Sequence, residues 1–181
     1  MNYISEHLYF REFNDDDFPL LYSIFSNEQV MRYTYLDKYH NEEELMPYFN
    51  DILKNNQTKN NRKAYEYAVC LSSDDACIGI ADIVIDQQND FGGIGEIGYL
   101  MLPEYWGKGF GTAMAKALLE IGFRDVKLHK LYARCNVYNV ASRNVMEKIG
   151  MKREGELRKV RFKDNMWVNE FVYGILAEER D

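Results

Sequence analysis

From His7 to Phe13 the chain alternates, with Leu8, Phe10 and Glu12 on one side of the pleat and Tyr9, Arg11 and Phe13 on the other, which predicts a first strand. Asn14-Asp15-Asp16-Asp17 then offers an N-cap and first-turn acids, and Phe18, Leu21, Tyr22 and Phe25 keep helical spacing to Ser26. Asn27-Glu28 starts a short second helix through Val30 and Met31. Asn41-Glu42-Glu43-Glu44 opens a third, with Leu45, Tyr48, Phe49, Ile52 and Leu53 on one face. The period returns to two at Tyr65–Leu71, and after the turn Ser72–Asp75 a strand over Cys77–Asp86 completes a hairpin. Gln87–Gly93, rich in turn formers, reads as a loop before the strand Ile94–Leu102. From Gly109 to near Asp125, Phe110, Ala113, Met114, Ala117, Leu118 and Ile121 recur at helical spacing. Leu131–Val137 is a strand, Asn139 caps a helix carrying Ala141, Val145, Met146 and Ile149, and Gly150 closes it. Met151–Phe162 and Met166–Leu176 are the last strands, joined by Lys163-Asp164-Asn165.

This order predicts an α/β (α+β) fold: a mixed, mainly antiparallel sheet of about seven strands flanked by helices, with a central β-α-β placing two strands parallel. Residues 1–181 hold no repeat, low-complexity tract or break, so one domain is expected. An apolar content of 46% excludes general disorder. No apolar run approaches the ~20 residues of a membrane span, and residues 1–6 lack the regions of a signal peptide, so a cytoplasmic protein without a membrane partner is expected. Cys70, Cys77 and Cys135 are odd in number and lack C-x-x-C spacing, which indicates neither a disulfide framework nor a zinc site. His7, His40 and His129 form no i,i+4 pair, and no metal is expected. A net charge of −7 argues against nucleic acid and favours approach of a cationic substrate.

Candidate chemistry concentrates in Pro103-Glu104-Tyr105-Trp106-Gly107-Lys108-Gly109-Phe110-Gly111-Thr112, where a strand ends, glycines alternate and a helix begins. Such a turn brings backbone close to a ligand without a Cβ in the way, and the helix offers free N–H groups to a diphosphate. No Gly-Lys-Ser/Thr closes the run, and the spacing is G-x-G-x-G rather than the dinucleotide fingerprint. A glycine-rich connection without a ligand is the alternative at this stage.

This turn, together with Asn139-x-x-Ser142, Glu147-Lys148-Ile149-Gly150-Met151 and Glu154-Gly155-Glu156-Leu157-Arg158, resembles the GCN5-related N-acetyltransferase superfamily over nearly the whole chain, and most nearly its ribosomal-protein N-terminal acetyltransferase branch. The resemblance implies acetyl-CoA as cosubstrate, with the diphosphate on Trp106, Gly107, Lys108, Gly109, Phe110, Gly111 and Thr112. It implies pantetheine beside Met101 and Leu102, where two strands diverge, and a bond from Asn139 to that arm. It also implies that a backbone N–H near Leu102 polarises the acetyl carbonyl. Lys108 is either a point charge on phosphate or solvated surface, and Asn139 is either a ligand or only an N-cap. Relatives often carry Arg or Gln where Trp106 stands, and a Tyr where Met146 stands.

Met146 donates no proton, so Ser142 becomes the candidate that assists the leaving thiolate, with Tyr138 as the fallback. A thiol pKa near about 8.5 makes this a modest demand. Glu96, on the strand that delivers the thioester, is the candidate base, its alternative being to orient a neighbouring arginine. Cys135 shares a strand face with Leu131, Ala133 and Val137 and reads as core. Lys152 to Lys163 contribute a basic run, read as solvated or near the 3′-phosphate. The aromatic stretch around Tyr33 and Tyr35 is either a substrate wall, together with Glu96, or packing under the next helix. The acceptor is a peptide α-amine, a ribosomal protein being one such partner, or else a polyamine or small-molecule amine. A non-catalytic acyl-CoA-binding module is the rival class, and monomer and homodimer both stay open.

Overall fold

The protein is described here by a computed structural model that covers residues 3–4, 7–58 and 61–180. Its elements are β1 (Tyr3–Ile4), β2 (Leu8–Glu12), α1 (Phe18–Phe25), α2 (Glu28–Met31), α3 (Glu42–Gln57), β3 (Ala64–Leu71), β4 (Cys77–Asn89) and β5 (Gly92–Met101). These are followed by α4 (Phe110–Glu120), β6 (Lys130–Asn136), α5 (Val140–Lys148), β7 (Lys152–Lys163) and β8 (Met166–Leu176). All strands join one sheet in the order β1-β2-β3-β4-β5-β6-β8-β7. The seven expected strands are present, and the two-residue β1 adds to them by pairing with β2.

Alternate residues of β2 to β5 feed two cores. On one face Phe10, Tyr67, Ile83 and Ile97 pack beneath Met114 and Leu118 of α4 and Met146 of α5. On the other, Phe13, Ala68 and Ile80 pack beneath Leu21 and Phe25 of α1 and Phe49 and Ile52 of α3. Cys135 is buried in the first core, as its strand face predicts. Helix α4 continues through a π turn, Ile121–Asp125, so its predicted end holds.

Two expectations are corrected. The loop at Gln87–Gly93 is instead the closing part of a long hairpin: β4 runs to Asn89, β5 begins at Gly92, and the Asn89 side chain accepts the Phe91 N–H at 2.8 Å. Cys70 and Cys77 stand opposite one another in the β3–β4 register and form a disulfide. The odd count hid this pair, because Cys135 is the cysteine left over and the Ser72–Asp75 turn brings the other two together.

The feature that positions the site is where the sheet opens. β5 and β6 are parallel neighbours, yet they pair only at Ile94–Glu96 against Lys130–Tyr132. Beyond that, β5 stays with β4 as far as Met101 and β6 stays with β8 as far as Asn136. Each strand keeps its outer partner, and a wedge-shaped gap is left between them.

Candidate active site

Backbone groups face this gap in alternation. The Leu102 N–H donates to the Ile78 carbonyl at 3.0 Å, away from the gap. Gly98 and Leu100, two and four residues back, point the same way, which turns the N–H groups of Ile97, Tyr99 and Met101 towards the opening. The donors nearest a ligand in the gap are therefore those of Tyr99 and Met101 rather than Leu102. Trp106 Nε1–H donates to the Met101 carbonyl at 2.8 Å and ties the glycine turn to the end of β5. That contact gives Trp106 a structural task.

In the turn itself, Gly107 and Gly109 have φ of 73° and 86°. A Cβ at either would meet nothing within 4 Å, so conformation rather than crowding calls for glycine. Gly109 is the N-cap of α4 and brings no side-chain cap, which leaves the N–H groups of Phe110, Gly111 and Thr112 at the positive end of the helix free for an anion. Lys108 lies beside them, its Nζ 5.4 Å from the Tyr105 ring centroid. This dense set of donors under an open, side-chain-free surface fits a diphosphate.

One cavity of about 370 Å3 is lined from both faces of the sheet, which the gap connects. On the α4/α5 face it meets Asn139, Ser142 and Met146. Asn139 Oδ1 caps α5 by accepting the Ser142 N–H at 3.1 Å, which leaves the side-chain NH2 for a second partner. Ser142 and Tyr99 both line the cavity, and burial pushes the Tyr99 phenol up to about 12, which keeps it neutral. Met146 is buried and offers only its thioether.

On the other face the cavity is acidic and aromatic. Glu66 is buried, accepts from Tyr48 Oη at 3.3 Å and Asn55 Nδ2 at 3.4 Å, and is held above the usual carboxylate range by burial. Asp82, directly opposite Glu66 in the β3–β4 register, is pushed up to about 7 by burial first and then by the charges of Glu66 and Glu96. Glu96 is gripped by the Arg134 guanidinium, Nε to Oε1 at 2.9 Å and Nη2 to Oε2 at 2.7 Å, with Tyr132 Oη on Oε2 at 3.3 Å. Arg161 reaches buried Glu170 at 3.0 Å and covers the Tyr35 ring at 5.0 Å.

Of the residues expected to matter, Glu96, Ser142, Asn139, Tyr33 and Tyr35 line this cavity. Glu96 carries out the arginine pairing that was its alternative role. Tyr138 is 65% exposed and lies outside the lining. Glu66, Asp82, Tyr48, Tyr99 and Arg134 were not singled out from sequence. Asp82 had a visible signal: it is the lone charge within Ile78–Ile85, facing the same way as Ile80 and Val84. Lys163 was read as part of a solvated run. Its Nζ instead donates to the carbonyls of Met31 and Leu36 at 2.7 Å and Thr34 at 3.0 Å, and so fastens the segment that carries Tyr33 and Tyr35. Among the described residues, no group of three or more His, Cys, Asp or Glu could hold a metal, and no helix is long and apolar enough to cross a membrane.

Comparison with known proteins gives this geometry its context. The model of the acetyltransferase (GNAT) domain matches residues 7–152. The chain is similar to the uncharacterized N-acetyltransferase YnaD of Bacillus subtilis, 36% identical with 99% of both chains covered. It is also similar to spermidine N(1)-acetyltransferase of Escherichia coli K12, 26% identical over 94% of this chain and 89% of that one. The fold matches spermidine N-acetyltransferase from Vibrio cholerae, solved in complex with CoA and spermine, at TM-score 0.84 and 21% identity, covering 97% of this chain and 98% of that one. A family match across most of the chain, and a relative alike from end to end, establish that the chain belongs to the GNAT acetyltransferase family and is an N-acetyltransferase.

Proposed function

We propose that the enzyme transfers the acetyl group of acetyl-CoA directly to a primary amine of a small polycation of the polyamine type. The observation that carries this reading is the acceptor wall of the cavity, where Glu66, Asp82 and Glu96 stand with Tyr35 and Tyr48. Carboxylates and aromatic faces together suit ammonium groups, and the net charge of −7 draws polycations towards the protein. The spermidine acetyltransferases among its relatives support the same substrate class.

The roles follow from the elements. N–H groups of Phe110, Gly111 and Thr112 hold the diphosphate, with Lys108 as an added charge. Asn139 NH2 and the open edge of β5 fix the pantetheine arm as a further strand would be fixed. The N–H groups of Tyr99 and Met101 face the acetyl oxygen as negative charge develops on it. Ser142 gives the departing sulfur a hydrogen bond. Because the two sides of the cavity meet at the gap, the amine attacks the thioester without a covalent enzyme intermediate.

Thiol release from acetyl-CoA tests the reading, with spermidine, spermine and an alanine-ended peptide as acceptors. The peptide is the comparison because Ser142 and Glu154–Arg158 resemble the ribosomal-protein branch. The expected result is saturable turnover of a polyamine, with kcat/KM about tenfold or more above the peptide, equivalent to about 1.4 kcal/mol of discrimination. A preference for the peptide contradicts it.

A further inference from the structure

Acetyl transfer needs a neutral amine, and a primary amine with a pKa near about 10 arrives as ammonium at neutral pH. Some group at the gap must take a proton. Glu96 is badly placed to do so, since both its oxygens are occupied by Arg134 and one also by Tyr132. Asp82 differs. It lines the same cavity one strand away and, among the described residues, has no hydrogen-bond or ion-pair partner.

Its side chain also explains a glycine. Gly98 sits opposite Asp82 in the β4–β5 register, at the edge of the gap, with no left-handed φ to require it. A Cβ built on Gly98 would lie 2.7 Å from Asp82 Oδ1. The carboxylate thus fills the space over Gly98 and leans from β4 towards the opening where the thioester must lie. A side chain at position 98 would separate the two.

We infer that Asp82 is the catalytic base, accepting a proton from the substrate ammonium across Gly98, and that Arg134-bound Glu96 is a positioning residue. This inference rests on the acetyl-transfer reading. Asp82 carboxylate takes one proton from R–NH3+, giving R–NH2. The nitrogen lone pair forms the C–N bond as the C–S bond breaks. The second nitrogen proton is lost from the new amide, the thiolate gains one, and the net proton leaves through Asp82 to solvent. Burial together with Glu66 of β3 and Glu96 of β5 places Asp82 at about 7, which suits a base working near neutrality. The other titratable or charged groups around it are Tyr48 of α3, Tyr35 of the segment before α3, and Arg134 of β6.

The test measures kcat/KM against pH for wild type, Asp82→Asn, Glu96→Gln and Gly98→Ala, using whichever of spermidine or the alanine-ended peptide wild type turns over faster. CoA affinity by calorimetry is measured alongside, to report on folding and on the cofactor side. Because Asp82 must be ionised to accept a proton, wild-type kcat/KM rises with pH through an ionisation near 7. Asp82→Asn is expected to bind CoA as wild type does, to lose about a hundredfold or more in kcat, and to lose that ionisation. Glu96→Gln keeps it. Gly98→Ala, which displaces the carboxylate and removes no functional group, lowers kcat at least about tenfold and is decisive if Asp82→Asn fails to fold. Retention of rate within threefold by Asp82→Asn or by Gly98→Ala, or loss of the ionisation in Glu96→Gln alone, overturns the inference. If wild type acetylates the peptide and not spermidine, the polyamine reading fails while the Asp82 test is still read on the peptide. No turnover of either amine overturns both.

Discussion

Asp82 is a carboxylate in a place that disfavours its charge. Burial and two neighbouring acids raise it from 3.8 to about 7, so between those values the folded protein binds a proton that the unfolded chain does not. Stability is then lost as pH rises through that window, the sign opposite to that of a salt-bridged carboxylate. Asp82→Asn removes the ionisation and should be more stable than wild type by about 1–3 kcal/mol at pH 8, with the gap closing towards pH 4; urea unfolding at both pH values measures it. A variant that gains stability while losing activity marks a residue kept for chemistry. The proposed cofactor side was legible because it rests on two local motifs, Gly107 with Gly109 and Asn139 with Ser142, each short along the chain. On the acceptor side the sequence offered Glu96, Tyr33 and Tyr35 but not Glu66 or Asp82. Glu66, Asp82 and Glu96 come from three strands, and alternation says which face each occupies, not which neighbours it meets.

At the scale of elements, two short pieces of chain carry the two sides of the proposed site. The segment bearing Tyr33 and Tyr35 has little regular structure, and Lys163, from the β7–β8 hairpin, holds it by three backbone carbonyls. Lys163→Met should free it and raise KM for the amine several-fold while leaving CoA affinity within twofold; steady-state kinetics and calorimetry separate the two. Gly109, with φ of 86° at the N-cap of α4, belongs to the turn proposed to hold the cofactor. Gly109→Val forces a β-branched residue into left-handed backbone at a cost of about 1–2 kcal/mol or more and should weaken CoA binding tenfold or more, with far-UV dichroism unchanged. Most strands and helices were readable from periodicity, since each is amphipathic by itself. The parallel pair of the central β-α-β was readable too, but not the insertion of β8 between β6 and β7, nor the opening between β5 and β6, which exists because each holds its outer neighbour, a non-local fact. The Cys70–Cys77 pair was missed because composition counted three cysteines, while the hairpin register joins two.

For the whole molecule, charge and topology act together. On the proposed reading, a surplus of seven negative charges would steer a polycation towards the acidic wall of the cavity. Raising ionic strength from about 0.05 to 0.5 M shortens the screening length to a few ångströms and should raise KM for spermidine several-fold with kcat little changed. Topology would then bring the proposed reactants together, since the cavity is lined from both faces of a sheet that opens between two parallel strands. The most direct measurement is the initial-rate pattern with acetyl-CoA and spermidine varied together. Lines that intersect in double-reciprocal plots are predicted, because both reactants must occupy the one cavity before any bond changes. Parallel lines, with an acetylated enzyme found by mass spectrometry after acetyl-CoA alone, would contradict it.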